Sequence, residues 1–415
     1  MKKIAIISVD SLFTSDLDHI KEFEGFSEIL SDCVLVKNIE CIYPTLTYPC
    51  HTTIMSGCTP QKHGIIHNEK LDPVINNAKW FWDYRDIKVK TLFDYAKENG
   101  LKTAAFSWPV TANGPIDILL PETWTLAYEK ENSAINLGAS LLGKKLYQKY
   151  AHLLDWKDNL QLDTFALECA KDAIINEKPD VLFIHQATLD HARHVYGTSH
   201  EEVTKAHRLH GKWIKDIIEA YKKAGTFEDT TFIILGDHGQ LDINQVVSIN
   251  QMFLNYGLLS VDQNNVIQDY QAYCQSAGIS AHVYVKDKSV KNQVLEILNI
   301  AKDMGYIEKI FTKEQANEMG LDGDFEFVIE GASGTSISNL TNHKILQQFN
   351  DDDYKNSKAT HGHLPTIGDK PPMIIYHSQL PQQVIDYAKL VDEFPTMMKL
   401  LGLPIPDDID GHSLV

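Results

Sequence analysis

The sequence predicts an α/β fold in which helices cover both faces of a sheet that contains parallel strands. Three runs, "KIAIISVD", "DVLFIHQA" and "TTFIILGDHG", are almost continuously apolar up to their ends, which is typical of parallel strands buried on both faces. Segments with helical spacing, such as "LDTFALECAKDAIINEKP", alternate with them. At 415 residues the chain exceeds a single ordinary core, so we expect one large α/β domain that carries a smaller insert.

The composition is that of a soluble globular protein with an excess of acidic residues. Hydrophobic residues make up 43% of the chain and charged residues 23%, and the formal net charge is -18. This charge argues against nucleic-acid polymers and anionic membranes as partners, because both are bound by clustered lysine and arginine. A small phosphorylated substrate remains compatible, because bound divalent cations can create an anion-binding pocket in an acidic chain.

The sequence also favours a cytoplasmic location. The apolar run in "MKKIAIISVDSLF" is too short for a secretory signal and lacks a small-residue cleavage site, so we interpret it as the first buried strand. No stretch approaches the roughly 18 apolar residues of a membrane span. The six cysteines show neither CxxC spacing nor the density of a disulfide scaffold, so we expect reduced thiols.

The first strand ends at a carboxylate. Asp10 closes "KIAIISVD", and functional groups of open α/β sheets collect at the carboxyl ends of strands. Asp10 is therefore a candidate ligand or catalytic group. The alternative, in which Asp10 only caps the following helix, stays open on this segment alone.

The stretch "YPTLTYPCHTTIMSG" predicts a sharp turn followed by a helix, with Thr47 near the helix N-terminus. Free backbone N–H groups and the positive dipole end at this position favour a phosphoryl oxygen. A threonine hydroxyl must be activated by a base or a metal ion before it can act as a nucleophile, and Thr47 is our candidate. We expect a structural role for His51. Cys50 does not begin the C-x-P-x-R pattern of sulfatases, because His-Thr-Thr-Ile follows it.

Two further strands deliver candidate metal ligands. Asp190 and His194 follow "DVLFIHQA" and are four residues apart, so on a helix they share one face and can hold one ion. Asp237 and His238 lie in the Gly-Asp-His-Gly turn that ends the third run. A solvated helix and a polar turn without ligands are the alternative interpretations of these two segments.

From about Ser276 the pattern becomes strand, helix, strand, which predicts a small α/β insert. We place this insert at residues 271–350, between a first core part at 1–270 and a second at 351–415. The next candidate ligand, His361, follows the insert in "ATHGHLP", with His363 as the alternative. Residues 110–159 have weaker periodicity and are interpreted as a lid or a helical excursion.

The candidates supply three carboxylates, three imidazoles and one hydroxyl, enough for two zinc-like sites. Paired metal ions about 3.5–4 Å apart can stabilise both the attacking and the leaving oxygen of an in-line displacement. Taken in chain order, the set resembles the metal signature of the alkaline phosphatase superfamily, and within it the nucleotide pyrophosphatase/phosphodiesterase family, in the form of a bacterial, cytoplasmic member. The resemblance runs from "IISVD" to "FPTMMKLLGLPIPDDIDGHSL". It implies an alkaline-phosphatase-like three-layer α/β/α sandwich with a small α/β cap insert.

The resemblance also implies a role for each candidate. One metal ion would be surrounded by Asp10, Thr47, Asp237 and His238, and the other by Asp190, His194 and His361. Two divalent ions are expected, zinc first and manganese second. In the phosphodiesterase branch an asparagine after the "HGI" segment donates to a phosphoryl oxygen, and "HGIIHN" places Asn68 there. The segment "SWP", with Trp108 and Pro109, is also similar to that branch.

The function implied by the resemblance is metal-dependent hydrolysis of phosphodiester or pyrophosphate bonds through a phospho-threonine intermediate. We see no candidate for the arginine with which alkaline phosphatases bind a phosphate monoester. The insert resembles the caps of bacterial phosphonate hydrolases, so cleavage of a C–P bond, as in phosphonoacetate, is the alternative reaction. A catalytically silent protein that binds a phosphorylated ligand is the alternative from another class.

Overall fold

The computed structural model describes residues 3–74, 79–123, 138–155, 158–341, 344–349 and 357–415. The strands, in chain order, are β1 (Lys3–Val9), β2 (Val34–Val36), β3 (Ile39–Glu40), β4 (Thr103–Phe106), β5 (Ile118–Leu120), β6 (Val181–Gln186), β7 (Thr230–Leu235), β8 (Leu241–Asp242), β9 (Gln245–Val247), β10 (Leu259–Val261), β11 (Ile267–Tyr270), β12 (Ala272–Ser276), β13 (Ser280–Val285), β14 (Ile307–Thr312), β15 (Phe327–Gly331), β16 (Thr335–Ile337), β17 (Leu346–Gln348), β18 (Ala359–Thr360), β19 (Met373–Tyr376), β20 (Gln383–Ile385) and β21 (Ala388–Lys389). The α-helices are α1 (Leu17–Ile20), α2 (Phe26–Leu30), α3 (Thr47–Ser56), α4 (Pro60–His63), α5 (Leu92–Glu98), α6 (Leu141–Tyr150), α7 (Asn159–Asn176), α8 (Thr188–Tyr196), α9 (Glu201–Ala224), α10 (Ile249–Asn255), α11 (Lys291–Asp303), α12 (Lys313–Glu318) and α13 (Glu393–Leu400).

The centre of the molecule is a mixed sheet. Eight strands of the described part of the chain form it, in the order β20-β2-β19-β7-β1-β6-β4-β5. Strands β7, β1, β6, β4 and β5 are parallel, whereas β19 is antiparallel to both of its neighbours. The three apolar runs of the sequence form the adjacent strands β1, β6 and β7. Their carboxyl ends therefore meet at one end of the sheet.

The two faces of this sheet pack against different helices. On β1, Ala5, Ile7 and Val9 pack in one apolar cluster with side chains of α7 and α9. Ile4 and Ile6 point to the other face and pack with side chains of α3 and α13. This alternation follows from the two-residue period of a strand. It produces the helix, sheet and helix layers that the sequence predicts.

The longest helix of the described residues ends at a glycine. Helix α9 ends before Gly225, whose φ of +72° belongs to the left-handed region that favours glycine. At the other end of α9, His200 accepts a hydrogen bond from the backbone N–H of Glu202 and caps the helix. Both ends of α9 are therefore fixed by residues directly next to the helix.

A second, antiparallel sheet forms the cap. Its order is β12-β13-β15-β14, and α11 packs against it in an apolar cluster separate from those of the central sheet. The same cluster includes Val247, Met252 and Leu259, which precede residue 271. The domain boundaries at 270 and 350 stay a prediction.

The described residues include no helix that combines the length and the apolar character needed to cross a bilayer. Within the stretch predicted as a lid or helical excursion, the structure describes β5 and α6. Residues 124–137 and 156–157 of that stretch lie outside the described part of the chain.

Candidate active site

Four of the candidate ligands follow the carboxyl ends of three adjacent strands. Asp10 follows β1 directly, and Asp237 and His238 follow β7. Asp190 lies on α8, which is separated from the end of β6 by a single residue. Ser8 of β1 pairs with a residue close to the end of both neighbouring strands, so the three ends are level. The topology thus brings Asp10 close to His238, which follows it by 228 positions in the sequence.

The first group of ligand atoms comes from Asp10, Asp237 and His238, and these atoms all lie within 4.8 Å of one another. His238 Nε2 is 3.4 Å from Asp10 Oδ1 and 3.2 Å from Asp237 Oδ2. His238 Nδ1 points to the carbonyl of Gly239 at 3.3 Å and can only donate to it, which leaves Nε2 as the acceptor. The Thr47 hydroxyl lies 3.1 Å from this Nε2.

The second group comes from Asp190, His194 and His361, whose ligand atoms also lie within 4.8 Å of one another. Asp190 and His194 are one turn apart on α8, with His194 Nε2 3.3 Å from Asp190 Oδ2. His194 Nδ1 donates to the carbonyl of Ala359 at 2.8 Å, so Nε2 carries the free lone pair. The rings of His238 and His361, one from each group, have centroids 4.3 Å apart, so the two groups are neighbours.

The structure brings His361, and not His363, into the second group. His363 is buried, and its Nδ1 donates to the carbonyl of Leu364 at 2.8 Å. His361 lines the central cavity together with Asp190 and His194.

Burial and like charge set the electrostatics of the two groups. Burial raises the pKa of the Asp10 carboxyl well above its usual range, and the neighbouring Asp237 and Asp190 carboxylates raise it further. Burial also raises the pKa of Asp237, against the opposing effect of His51. The same desolvation lowers the pKa of His238 to about 3 and that of His361 well below its usual range, so both imidazoles are neutral. A divalent cation held by these groups would lower the pKa of the carboxylates instead.

Two buried carboxylate oxygens of the first group lack a hydrogen-bond donor among the described residues. These are Asp10 Oδ1 and Asp237 Oδ2. A buried acceptor without a partner costs about 1–3 kcal/mol or more. A divalent cation is the simplest partner, because carboxylate oxygens and neutral imidazole nitrogens are the donor set of zinc and also suit manganese. The residues present therefore fit a pair of divalent ions.

Thr47 is the first residue of α3, as the sequence predicts. The preceding Leu46 is extended, with φ -118° and ψ 144°, so the first N–H groups of the helix are free of intrahelical partners. One of them, the N–H of Tyr48, donates to Asn68 Oδ1 at 2.9 Å. This bond shows which atom of the Asn68 amide is the oxygen. The NH₂ group of Asn68 is then available to a ligand in the cavity that Asn68 lines.

His51 connects the start of α3 to strand β1. Its Nδ1 donates to the carbonyl of Thr47 at 2.8 Å, and its Nε2 accepts from the Ser8 hydroxyl at 2.9 Å. The ring is fully buried and stands edge-on to Trp108, with centroids 4.7 Å apart. These contacts agree with the structural role expected from the sequence.

A cavity of about 460 Å³ opens in front of both groups. Thr47 and Asn68 line it on one side, and the walls are largely apolar. The apolar part of the wall includes Trp80, Leu120, Pro121, Leu162 and Phe165. This volume suits a small organic phosphate.

Two residues at the site were missed by the sequence analysis. His185 lines the cavity, and its Nε2 lies 3.4 Å from Asp10 Oδ2. Gln240 is buried, and its amide donates to the carboxylate of Asp190 and, at 3.2 Å, to the Asp190 backbone carbonyl. The sequence held a signal for each, because His185 interrupts the apolar run of β6 near its end and Gln240 follows the Gly-Asp-His-Gly turn directly.

The contact of Gln240 leads to a first prediction. Replacing Gln240 with methionine keeps the side-chain length but removes the donor to Asp190, so the carboxylate loses its fixed orientation. Loss of such a partner to a ligand typically lowers metal affinity by about 10–100-fold. We expect this loss at the second group only, measured as zinc affinity in competition with a chelator.

The matched control is Gln245→Met, because Gln245 donates at 2.7 Å to Thr335 Oγ1 on a different sheet. It should leave the affinity of both groups unchanged. Unchanged zinc affinity in Gln240→Met would show that Asp190 does not depend on this amide.

Comparison with known proteins places the chain in a family. The model of the family "Type I phosphodiesterase / nucleotide pyrophosphatase" matches residues 4–361. Human ectonucleotide pyrophosphatase/phosphodiesterase family member 1 is 26% identical over 217 residues, which are 49% of this chain and 20% of that protein. Human bis(5'-adenosyl)-triphosphatase ENPP4 is 24% identical over 257 residues, 60% of this chain and 49% of that protein. The matches thus span about half or less of these relatives.

Among solved structures, the fold is similar to that of murine ectonucleotide pyrophosphatase/phosphodiesterase 5. An inactive variant of that protein in complex with AMP superposes with a TM-score of 0.70 at 16% identity, covering 99% of this chain and 98% of the murine chain. This likeness confirms the predicted alkaline-phosphatase-like α/β fold. The family match extends over most of the chain and includes every candidate ligand from Asp10 to His361. The chain therefore belongs to the type I phosphodiesterase/nucleotide pyrophosphatase family, a family of hydrolases.

Proposed function

We propose that this protein hydrolyses phosphodiester or pyrophosphate bonds with two divalent metal ions and Thr47 as the nucleophile. The observation that carries the proposal is the placement of the Thr47 hydroxyl, 3.1 Å from His238 of the first group and in the same cavity as the second. Asp10, Asp237 and His238 would hold one ion with Thr47, and Asp190, His194 and His361 the other. Zinc is the expected ion and manganese the second choice.

When bound, such ions lower the pKa of a coordinated hydroxyl and stabilise charge on the attacking and leaving oxygens. The chain's own residues supply the rest. Thr47 Oγ1 attacks phosphorus, forms a P–O bond and expels the leaving oxygen, and water then hydrolyses the phospho-threonine. The N–H of Tyr48 already bonds Asn68, and Pro49 has none, so the groups at the start of α3 that can stabilise charge on a non-bridging oxygen are the N–H of Thr47 and the NH₂ group of Asn68.

The substrate class we propose is a small phosphodiester of the nucleotide type. The described residues that line the cavity include no arginine or lysine, the groups that best neutralise the dianion of a monoester. Asn68 offers a neutral amide instead, which suits a diester with one fewer charged oxygen. AMP in the complex of the murine relative supports a nucleotide as one substituent. The cytoplasmic location and the exclusion of nucleic-acid polymers stay predictions.

The test is a substrate screen on zinc-loaded and manganese-loaded protein. We expect p-nitrophenyl diesters and dinucleotides to be hydrolysed faster than a matched monoester and faster than phosphonoacetate at equal concentration. A clear preference for phosphonoacetate would replace the proposal with C–P bond hydrolysis. Absence of any turnover by protein that holds two ions would favour a silent phospho-ligand-binding role.

A further inference from the structure

The cap contacts the loop that carries His361. We call residues 361–364 the ligand loop. The backbone N–H of Ile279 donates to the carbonyl of His361 at 3.0 Å, and the Ser280 hydroxyl donates to the carbonyl of Gly362. The contact is close, since a Cβ on Gly278 would lie 2.4 Å from the carbonyl of His361. The ligand loop is thus bound to the end of the cap sheet by its main chain.

One buried side chain of the cap joins this loop to residues 43–47, which we call the nucleophile turn. Glu330 of β15 is 1% exposed, and its Oε1 accepts from the backbone N–H of Leu364 at 2.9 Å. Its Oε2 accepts from the hydroxyl of Tyr43 at 2.9 Å, four residues before Thr47. A single carboxyl group therefore connects the cap, the ligand loop and the turn that positions the nucleophile.

The ligand loop and the nucleophile turn also contact each other directly. The N–H of Gly362 donates to the carbonyl of Thr45 at 2.9 Å, and the Thr45 hydroxyl donates to the carbonyl of His363 at 3.0 Å. Through these bonds and those of Glu330, the cap, the ligand loop and the nucleophile turn each contact the other two. Movement of the cap end would consequently move His361 relative to Asp190 and His194, which lie on α8.

Burying a carboxyl group is costly unless donors satisfy it, so the placement of Glu330 needs a reason. Apart from Tyr43, the charged groups that face Glu330 are Lys309 and Glu308 of the neighbouring strand β14, with opposite effects. An apolar residue at this position would leave the N–H of Leu364 and the hydroxyl of Tyr43 buried without their acceptor. The ligand loop and the nucleophile turn therefore both depend on Glu330 for an acceptor, although Glu330 belongs to the cap.

We propose that Glu330 is a positioning residue that fixes His361 against Asp190 and His194 and so determines the metal affinity of the second group. The inference rests on the proposed metal-dependent function. It assigns to the cap a role in building the metal site, in addition to any contact with substrate.

Both protonation states of Glu330 preserve the two contacts. Burial raises the pKa of this carboxyl to about 7. When protonated, Glu330 can donate to the Tyr43 oxygen while its other oxygen still accepts from Leu364. Glutamine can do the same, because its carbonyl accepts and its NH₂ group donates. Glu330→Gln is therefore the conservative variant that should rescue the function, whereas Glu330→Ala loses both contacts.

The experiment measures the affinity of each metal group in chelator competition, with Co²⁺ absorption as a second readout. The variant His194→Ala identifies the binding event of the second group. In Glu330→Ala we expect the metal affinity of the second group to fall by about tenfold, the lower end of the range for residues that support a ligand without binding the metal. The metal affinity of the first group should stay within about twofold of the wild type. Glu330→Gln should match the wild type. Tyr43→Phe, which loses one bond without a cavity, should weaken the second event by about two- to fivefold.

The matched control is Val328→Ala. Val328 lies on β15 with Glu330, and it packs in the same apolar cluster as Tyr43 and Leu364. The variant creates a cavity without removing a hydrogen bond, so Tm should fall while both affinities stay unchanged. Equal affinity losses in Val328→Ala and Glu330→Ala, or equal losses at both groups, would overturn the inference. If Glu330→Ala does not fold, an unchanged Tyr43→Phe overturns it. A wild type that binds no second ion would instead overturn the proposed function, and this inference with it.

Discussion

Replacing Thr47 with alanine should lower kcat for a diester by about 10⁴–10⁶-fold, the range seen when a covalent nucleophile is removed. The physical reason is that, in the proposed mechanism, Thr47 supplies the oxygen that attacks phosphorus, and its neighbours cannot replace it. Asp10, Asp237 and His238 keep their positions at the strand ends in this variant, because β1 and β7 hold them. Metal stoichiometry should therefore stay the same, which separates loss of the nucleophile from loss of the site.

The measurement combines steady-state turnover with metal analysis and mass spectrometry of acid-quenched protein. Wild-type protein quenched during turnover should carry a phosphoryl adduct on the peptide that contains Thr47, and Thr47→Ala should not. Thr47→Ser is the control that keeps a hydroxyl at the first residue of α3, and it should retain measurable turnover. Diester hydrolysis by Thr47→Ala near the wild-type rate would refute the nucleophile assignment.

Replacing Asn68 with alanine should lower kcat/KM for diesters by about 10²–10³-fold, by analogy with the loss of one donor to a developing oxyanion. If the NH₂ group of Asn68 bonds an oxygen that gains charge in the transition state, kcat should fall more than KM rises. The comparison of a matched diester and monoester measures this effect. Wild-type protein should prefer the diester.

Asn68 has a second role that needs its own control, because its oxygen accepts from the N–H of Tyr48 at the start of α3. Asn68→Asp keeps this acceptor and removes the donor, and it adds a negative charge beside the phosphoryl group. Its turnover should be as low as that of Asn68→Ala or lower, while Tm stays near that of the wild type. A wild type that prefers the monoester, or full activity in Asn68→Asp, would show that Asn68 does not bind the phosphoryl group.

Much of the fold was predictable because its signals are local. The apolar runs of β1, β6 and β7 are long enough to predict buried strands, and a polar residue directly after such a run predicts a group at the end of the sheet. The prolines before Thr47 and the glycine after α9 are likewise signals that act within a few residues. The family resemblance rested on the order of these same motifs, and the family match confirms it.

The sequence by itself determined the central strands β1, β6 and β7, the helix that starts near Thr47 and the set of candidate metal ligands. Only the tertiary structure decided which of them meet. It grouped His361 and not His363 with Asp190, placed the amide of Gln240 on that carboxylate, and brought Glu330 of the cap between two loops of the core. The physical reason is that each of these contacts joins residues 34 or more positions apart, the smallest separation being that of Glu330 and Leu364. Side-chain spacing predicts neighbours within one helix or strand, whereas contacts between elements depend on how the sheets pack.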